Sequence, residues 1–283
     1  MILMPLPAAD FDPTEAAIPW RMCELAGLTV RFATPMGDPS RADERTLTGQ
    51  GLGPFARLLR ARYDAVEAYQ NMTATPSFRH PLPYHVLDAA DFDGIIIPGG
   101  FGAGMRRFLE ARPLQQLIVD FFRADKAVGA IGQGVLLVAR SVDPQTGRSV
   151  LYRRRTTALL RAQEMLAWRM SRPWAGRYFR TYEEPVEDLV VSRLGQRTQF
   201  VRGPLSFRRD TPRTAHDGFA VRDVRYVSAR WAGDAHHFAR EFISVARAVA
   251  YHERGARPGP RAPWTVIDTA VLNEEVARLR AER

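Results

Sequence analysis

The stretch Asp93-Gly94-Ile95-Ile96-Ile97-Pro98-Gly99-Gly100 limits the possible folds more than any other part of the chain. Three consecutive isoleucines leave no polar side, so the strand they form must be covered on both faces, as in the interior of a parallel sheet. A Pro-Gly-Gly turn follows at once, and glycine-rich turns at the carboxyl ends of parallel strands are where open α/β sheets bind ligands. A second unit repeats the arrangement. Ala127–Ile131 is a short apolar strand, Gly132-Gln133-Gly134 a tight turn, and Val135–Ser141 a helix. Strand, sharp turn and helix in this order have the shape of a nucleophile elbow.

The amino-terminal residues supply further parallel strands. Met1–Pro7 reads as a strand, and Asp12-Pro13-Thr14-Glu15 as a helix start. Asp12 caps, Pro13 takes the first helical position, and Glu15 lies three residues after the cap. Ile18, Met22 and Leu25 continue at helical spacing, Gly27 stops the helix, and Leu28–Ala33 is a second strand. This β-α-β opening requires a right-handed crossover. Pro54–Thr73 carries Phe55, Leu58, Leu59, Tyr63, Val66 and Tyr69 as a partial apolar stripe, which predicts an inserted helix over the sheet edge, forming a lid. His85–Leu87 reads as a short strand, Gly104–Glu110 and Pro113–Arg123 as helices, Ser149–Tyr152 as a hairpin or short strand, and Thr157–Arg169 as a helix. Arg172–Ala220 is irregular and rich in Arg and Pro, with strands expected near Leu189–Ser192 and Gln199–Val201. Val224–Ala229 is a strand and Ala235–His252 a helix.

The expected architecture is one α/β domain over residues 1–252, with a mostly parallel sheet and helices on both faces. Residues 253–283 follow as a Gly/Pro/Arg linker, Gly255–Pro263, and a short amphipathic helix marked by Leu272, Val276 and Leu279. With 46% hydrophobic and 25% charged residues in 283, the chain can bury a sizeable core, which excludes a disordered or mini-protein scaffold. No apolar run approaches the roughly 18 residues of a membrane span, because glycines and Gln133 interrupt Val128–Ala139. The start lacks the basic and long apolar segments of a signal peptide, so a cytoplasmic location is expected. Cys23 is the only cysteine, which excludes an internal disulfide and a cysteine-based zinc site. No cofactor or metal is expected.

The net charge is +9, and of the 40 basic residues only Lys126 is lysine. Such a surface suits an anionic partner, including nucleic acid, but no helix-turn-helix, zinc-finger or RNA-binding motif accompanies it, and a solvated arginine surface accounts for it as well.

Taken in order, these units resemble the ThiJ/PfpI superfamily, with its class I glutamine-amidotransferase-like, flavodoxin-like sheet. The resemblance rests on Glu15-Ala16-Ala17-Ile18-Pro19, on Asp93–Gly100, and on Ala130-Ile131-Gly132-Gln133-Gly134-Val135, where relatives carry Ala-Ile-Cys-His-Gly. Tyr226–Arg230 resembles the last strand. The resemblance implies that Glu15 lies beside the elbow and that the amides of Gly99-Gly100 and Gln133 form an oxyanion hole. The elbow turn itself is Gly132 and Gly134, with Phe101 at the pocket.

The departures carry equal weight. The nucleophile's position is Gly132, which has no side chain to attack with, and the following histidine is Gln133. A further histidine after Pro-Gly-Gly is Phe101, and no Asp or Glu occurs between Asp143 and Glu164. Cysteine-dependent peptidase, amidase, deglycase and glyoxalase activities are therefore not carried over. The leading expectation is a small-molecule enzyme with non-covalent hydratase, lyase or cyclase chemistry, in which Glu15 moves a proton, Gln133 orients substrate and backbone amides hold an anionic oxygen. The alternatives are a catalytically silent chaperone, ligand sensor or scaffold, and a nucleic-acid binder. Glu15 could also be only a capping-box acid. Cys23 as a relocated nucleophile, the pair His236-His237, His80 and His85 beside the lid, and Arg153-Arg154-Arg155 as an anion site are weaker candidates. Relatives commonly pair, so a homodimer is expected.

Overall fold

The computed structural model describes residues 1–253. The strands are β1 (Ile2–Pro5), β2 (Val30–Thr34), β3 (Leu82–Pro83), β4 (Gly94–Ile97), β5 (Ala127–Ile131), β6 (Val142–Asp143), β7 (Arg148–Ser149), β8 (Ala220–Asp223) and β9 (Tyr226–Ala229). The helices are α1 (Pro13–Leu25), α2 (Glu44–Thr48), α3 (Ala56–Leu59), α4 (Tyr63–Ala74), α5 (Pro76–Arg79), α6 (Gly104–Leu109), α7 (Arg112–Arg123), α8 (Gly134–Arg140), α9 (Arg161–Ala175), α10 (Val186–Val191) and α11 (Ala235–Glu253). Seven strands form one sheet in the order β3-β2-β1-β4-β5-β9-β8, parallel throughout except for β8 against β9.

The chain winds from β1 toward one edge and from β4 toward the other. Right-handed crossovers therefore place α1 and α7 on opposite faces. The central strands are buried along their whole length, as the isoleucine run requires: Ile95, Ile96 and Ile97 are fully enclosed, and Ile96 pairs with Gly129. The strand order reverses between β1 and β4, which puts the turns after β1, β4 and β5 together at the carboxyl end of the sheet.

Several elements differ from expectation. The helix over Pro54–Thr73 is broken: α3 ends at Leu59, Arg60 is extended, and α4 restarts at Tyr63. Leu58 and Tyr63 of the expected apolar stripe are exposed, and α4 buries Ala65, Ala68 and Met72 instead. It packs along α1, with Arg21 Nη1 3.5 Å from Glu67 Oε2, so it thickens a layer rather than serving as a lid. The edge strand is Leu82–Pro83, and His85 lies in the 3₁₀ turn that follows. The short hairpin is β6–β7, ending at Ser149. The helix expected over Thr157–Arg169 runs instead from Arg161 to Ala175, because Thr156 and Thr157 hydrogen-bond to the sheet through Ser228. Leu189–Ser192 is not a strand: α10 runs to Val191, since Val186 and Val190 bury one helical face, and residues 197–199 form a 3₁₀ turn. The residues before Val224 include β8, an antiparallel edge that the arginine-rich composition hid. Among the described residues no helix is long and apolar enough to cross a membrane. Leu272, Val276, Leu279 and the Gly255–Pro263 linker lie outside the described residues.

Candidate active site at the carboxyl end of the sheet

Local chemistry at the start of α1 aims Glu15. Asp12 adopts an extended conformation and its Oδ1 accepts from the backbone N–H groups of Thr14 (2.8 Å) and Glu15 (3.0 Å). Those bonds satisfy the helix end, so the Glu15 side chain is not needed for a reciprocal cap. It reaches instead across the sheet end, where Oε2 accepts from Gly99 N–H at 2.9 Å. The capping-box reading of Glu15 is thereby corrected.

The two glycine turns lie side by side. A Cβ placed on Gly99 would stand 2.6 Å from Glu15 Oε2 and 2.7 Å from the Gln133 nitrogen. Gly132 has φ +61°, a left-handed conformation that a side chain strains to adopt. A Cβ there would lie 2.5 Å from both carboxyl oxygens of Glu15. The carboxyl group thus fills the space into which an elbow side chain would project. The N–H groups of Gly100, Gln133 and Gly134 make no hydrogen bond among the described residues. The Gln133 side chain is 1% exposed, and neither its oxygen nor its nitrogen has a partner.

Burial pushes the Glu15 carboxyl well above the ordinary range, and the Asp12 carboxylate adds to the rise. The Gly99 N–H, the Arg209 guanidinium and the Ala232 N–H oppose it. Asp12 is raised less, again mainly by burial, with Arg209 as the largest opposing influence. Burial thus favours the protonated form of Glu15, next to unused N–H donors.

The covering layer comes from a different segment than the expected lid. Phe101, half-buried, packs edge-on against Phe179 with ring centres 4.8 Å apart and tilts against Tyr178 at 6.3 Å. Tyr178 donates its O–H to Asp43 Oδ2 at 2.7 Å, and the end of α9 is seated by Trp174 against Phe55 and the bare Cα of Gly53. Phe101 thus sits under the turn that follows α9.

A ThiJ/PfpI family-like model matches residues 6–204, most of the sheet and the whole elbow. The chain belongs to the ThiJ/PfpI family. An uncharacterized protein of Schizosaccharomyces pombe is 24% identical over 240 residues, covering 81% of this chain and 77% of its own. Glyoxalase III of Candida albicans superposes with a TM-score of 0.63 at 16% identity, over 86% of this chain and 96% of that one. The Rapid Encystment Protein of 24 kDa from Francisella tularensis gives 0.63 at 15% identity, over 87% and 98%. These likenesses establish the fold shared across the family.

Within this ThiJ/PfpI member the weaker candidates do not join the elbow. Cys23 is fully buried on α1, and burial raises its thiol far from reactivity. His80 and His85 are exposed. His236 is buried, with Nδ1 3.0 Å from Asp210 Oδ1, and no group of three metal-ligating side chains occurs among the described residues. Arg154 pairs with Asp223 at 3.0 Å, while Arg153 and Arg155 are exposed.

Two residues escaped the sequence reading. Glu164 on α9 is 1% exposed, and burial lifts its carboxyl to about 7. Its place in the first turn of α9 suggested only an ordinary helix-start acid. Arg209 comes from the irregular arginine-rich segment, where nothing in the local pattern distinguishes it from its neighbours. It places a cation near Glu15, where none was expected.

Proposed function

We propose that the chain is a small-molecule enzyme that performs non-covalent acid/base chemistry of the hydratase, lyase or cyclase type. The observation that carries this reading is the Glu15 carboxyl standing where an elbow side chain would project, buried and with its proton affinity raised by that burial. A neutral acid can give its proton to a substrate atom as negative charge develops elsewhere, and recover it when water or a carbon acid supplies one. The unused N–H groups of Gly100, Gln133 and Gly134 are suited to hold that charge, and the unpartnered Gln133 amide to orient the substrate. The Candida albicans relative is named for glyoxalase activity. Gly132 offers no thiol, so this chain is assigned a different reaction.

The test is turnover. Metabolites screened with the wild type identify a substrate, and Glu15→Gln then keeps the shape while removing the transferable proton. Activity should fall by about 10²–10⁴ with the fold intact. Equal turnover in Glu15→Gln would end the proton-transfer reading.

A second reading, a binding protein without turnover, is favoured by the closure of Phe101 under Tyr178 and Phe179. It predicts ligands that bind at the elbow and leave chemically unchanged. We also propose a homodimer, as the family resemblance implies. A monomeric mass in analytical ultracentrifugation at micromolar concentration would exclude it.

A further inference from the structure

We propose that Arg209 is an anion-recognition residue of the elbow site, and that the ligand it receives is a small carboxylate. The inference rests on the elbow being a ligand site and adds the chemical class of that ligand.

Residues 201–213 contain no helix or strand, yet their backbone is fastened at several points. Arg230, fully buried after β9, donates to Pro204 O, and Gln163 on α9 donates to Ser206 O at 3.1 Å. Asp210 accepts from the backbone N–H groups of His236 and His237 at the start of α11, and its own N–H donates to Gly233 O at 2.7 Å. Arg240 donates to Pro212 O at 2.8 Å. Arg230 is in turn held by Asp234, with two contacts of 2.8 Å. A strap with no secondary structure of its own is thus secured on both sides of one residue, Arg209.

Arg209 lies over the Trp231 ring, 5.4 Å from its centre, and donates to Leu59 O at 3.2 Å. Trp231 follows two residues after Ala229, whose carbonyl accepts from the Gly132 N–H at 3.1 Å, so the guanidinium stands near the β9 side of the elbow. Asp12, Asp64 and Glu15 influence it electrostatically, yet no carboxylate approaches within ion-pair distance, 4.0 Å, among the described residues. One nitrogen of the planar fork is spent on Leu59 O, and such a fork matches a carboxylate in shape and charge. The rest of the site is rich in donors: three unused backbone N–H groups and the Gln133 amide nitrogen. A half-buried cation without an ion pair, within electrostatic reach of Glu15, and a fully buried amide without partners at the same elbow suit an anion bearing further oxygen acceptors.

The test uses the full-length protein and two probes of nearly equal shape, pyruvate and its neutral amide, with binding followed by ligand-observed NMR and calorimetry. The wild type should bind pyruvate at least about tenfold more tightly than the amide, the difference expected for hydrogen bonds to a charged group. In Arg209→Met the two affinities should converge to within about twofold, and Arg209→Lys should retain an intermediate preference. The wild-type comparison stands even where Arg209→Met fails to fold. Equal binding of both probes by the wild type, binding of neither, tighter binding of inorganic phosphate than of pyruvate, or a preference retained in folded Arg209→Met would each overturn the proposal. Repeating the comparison in Glu15→Gln separates the two claims. A retained pyruvate preference with unchanged turnover would reject proton transfer but support carboxylate recognition, while lost turnover without any preference would do the reverse.

Discussion

Adding one methyl group to the elbow tests the geometry on which the site depends. In Gly132→Ala the new Cβ would be 2.5 Å from both Glu15 oxygens, a distance no such contact sustains. Two costs follow. Placing an L-residue at φ +61° costs about 1–2 kcal/mol for the left-handed conformation. The Glu15 carboxyl must also leave its place, giving up the Gly99 N–H at 2.9 Å, and unpairing a buried polar group costs about 1–3 kcal/mol. The sum is about 2–5 kcal/mol. For a chain of this size each kcal/mol lowers the thermal midpoint by about 2–4 °C.

A double-mutant cycle separates the two costs. In a Glu15→Ala background the carboxyl is gone and only the backbone strain remains, so Gly132→Ala should then cost about 1–2 kcal/mol. The difference, a coupling of about 1–3 kcal/mol measured by urea denaturation of the four proteins, reports the carboxyl in the elbow space. A coupling below about 0.5 kcal/mol would show that Glu15 does not occupy that space, and the acid/base reading would lose its geometric basis. Gly132→Cys meets the same obstruction, so restoring a thiol should not by itself restore hydrolytic activity.

Other expectations follow from buried groups. Glu164 is lifted by burial to about 7, so above about pH 4.5 the unfolded chain releases a proton that the folded chain keeps. Its contribution to stability is full below that range and declines as pH rises to about 7, by up to about 3 kcal/mol. Denaturation midpoints at about pH 5 and pH 7.5 should show this decline in wild type and a smaller one in Glu164→Gln; identical slopes would contradict it. Asp234→Asn breaks the ion pair with Arg230, both side chains being 1% exposed, and should cost about 3–5 kcal/mol. Limited proteolysis of that variant should cut first within 201–213, and cleavage elsewhere would argue against those anchors. Cys23, fully enclosed, should resist thiol reagents until the chain is unfolded, and Cys23→Ala should leave any turnover within about threefold.

Much of the sheet was legible because its signals are local. An unbroken isoleucine run cannot be half-exposed, Asp12-Pro13 starts a helix by its own hydrogen bonding and ring geometry, and Ala127–Ile131 has the length and composition of an enclosed strand. Helix boundaries failed where burial overrode periodicity. The apparent stripe through Leu58 and Tyr63 was not the buried one, because small Ala65 and Ala68 let α4 approach α1 closely. Leu189–Ser192 has the composition of a short strand. It is helical because Val186 and Val190, four residues apart, share a face that α8 and α9 are there to receive.

The sequence by itself determined the central strands of the sheet, the two glycine turns, the missing elbow side chain and the presence of an acid on α1. Tertiary structure decided what that acid does. Glu15 is drawn off its own helix cap by an N–H from Gly99, 84 residues away, and the rise in its pKa follows from burial that no neighbouring residue in the chain reveals. It also selected Arg209 from among many arginines, and did so through side chains on α9 and after β9 and backbone N–H groups at the start of α11 that fasten the strap on either side of it. Local patterns record how a segment folds; the electrostatics of a buried group depend on what the rest of the chain brings within a few ångströms of it.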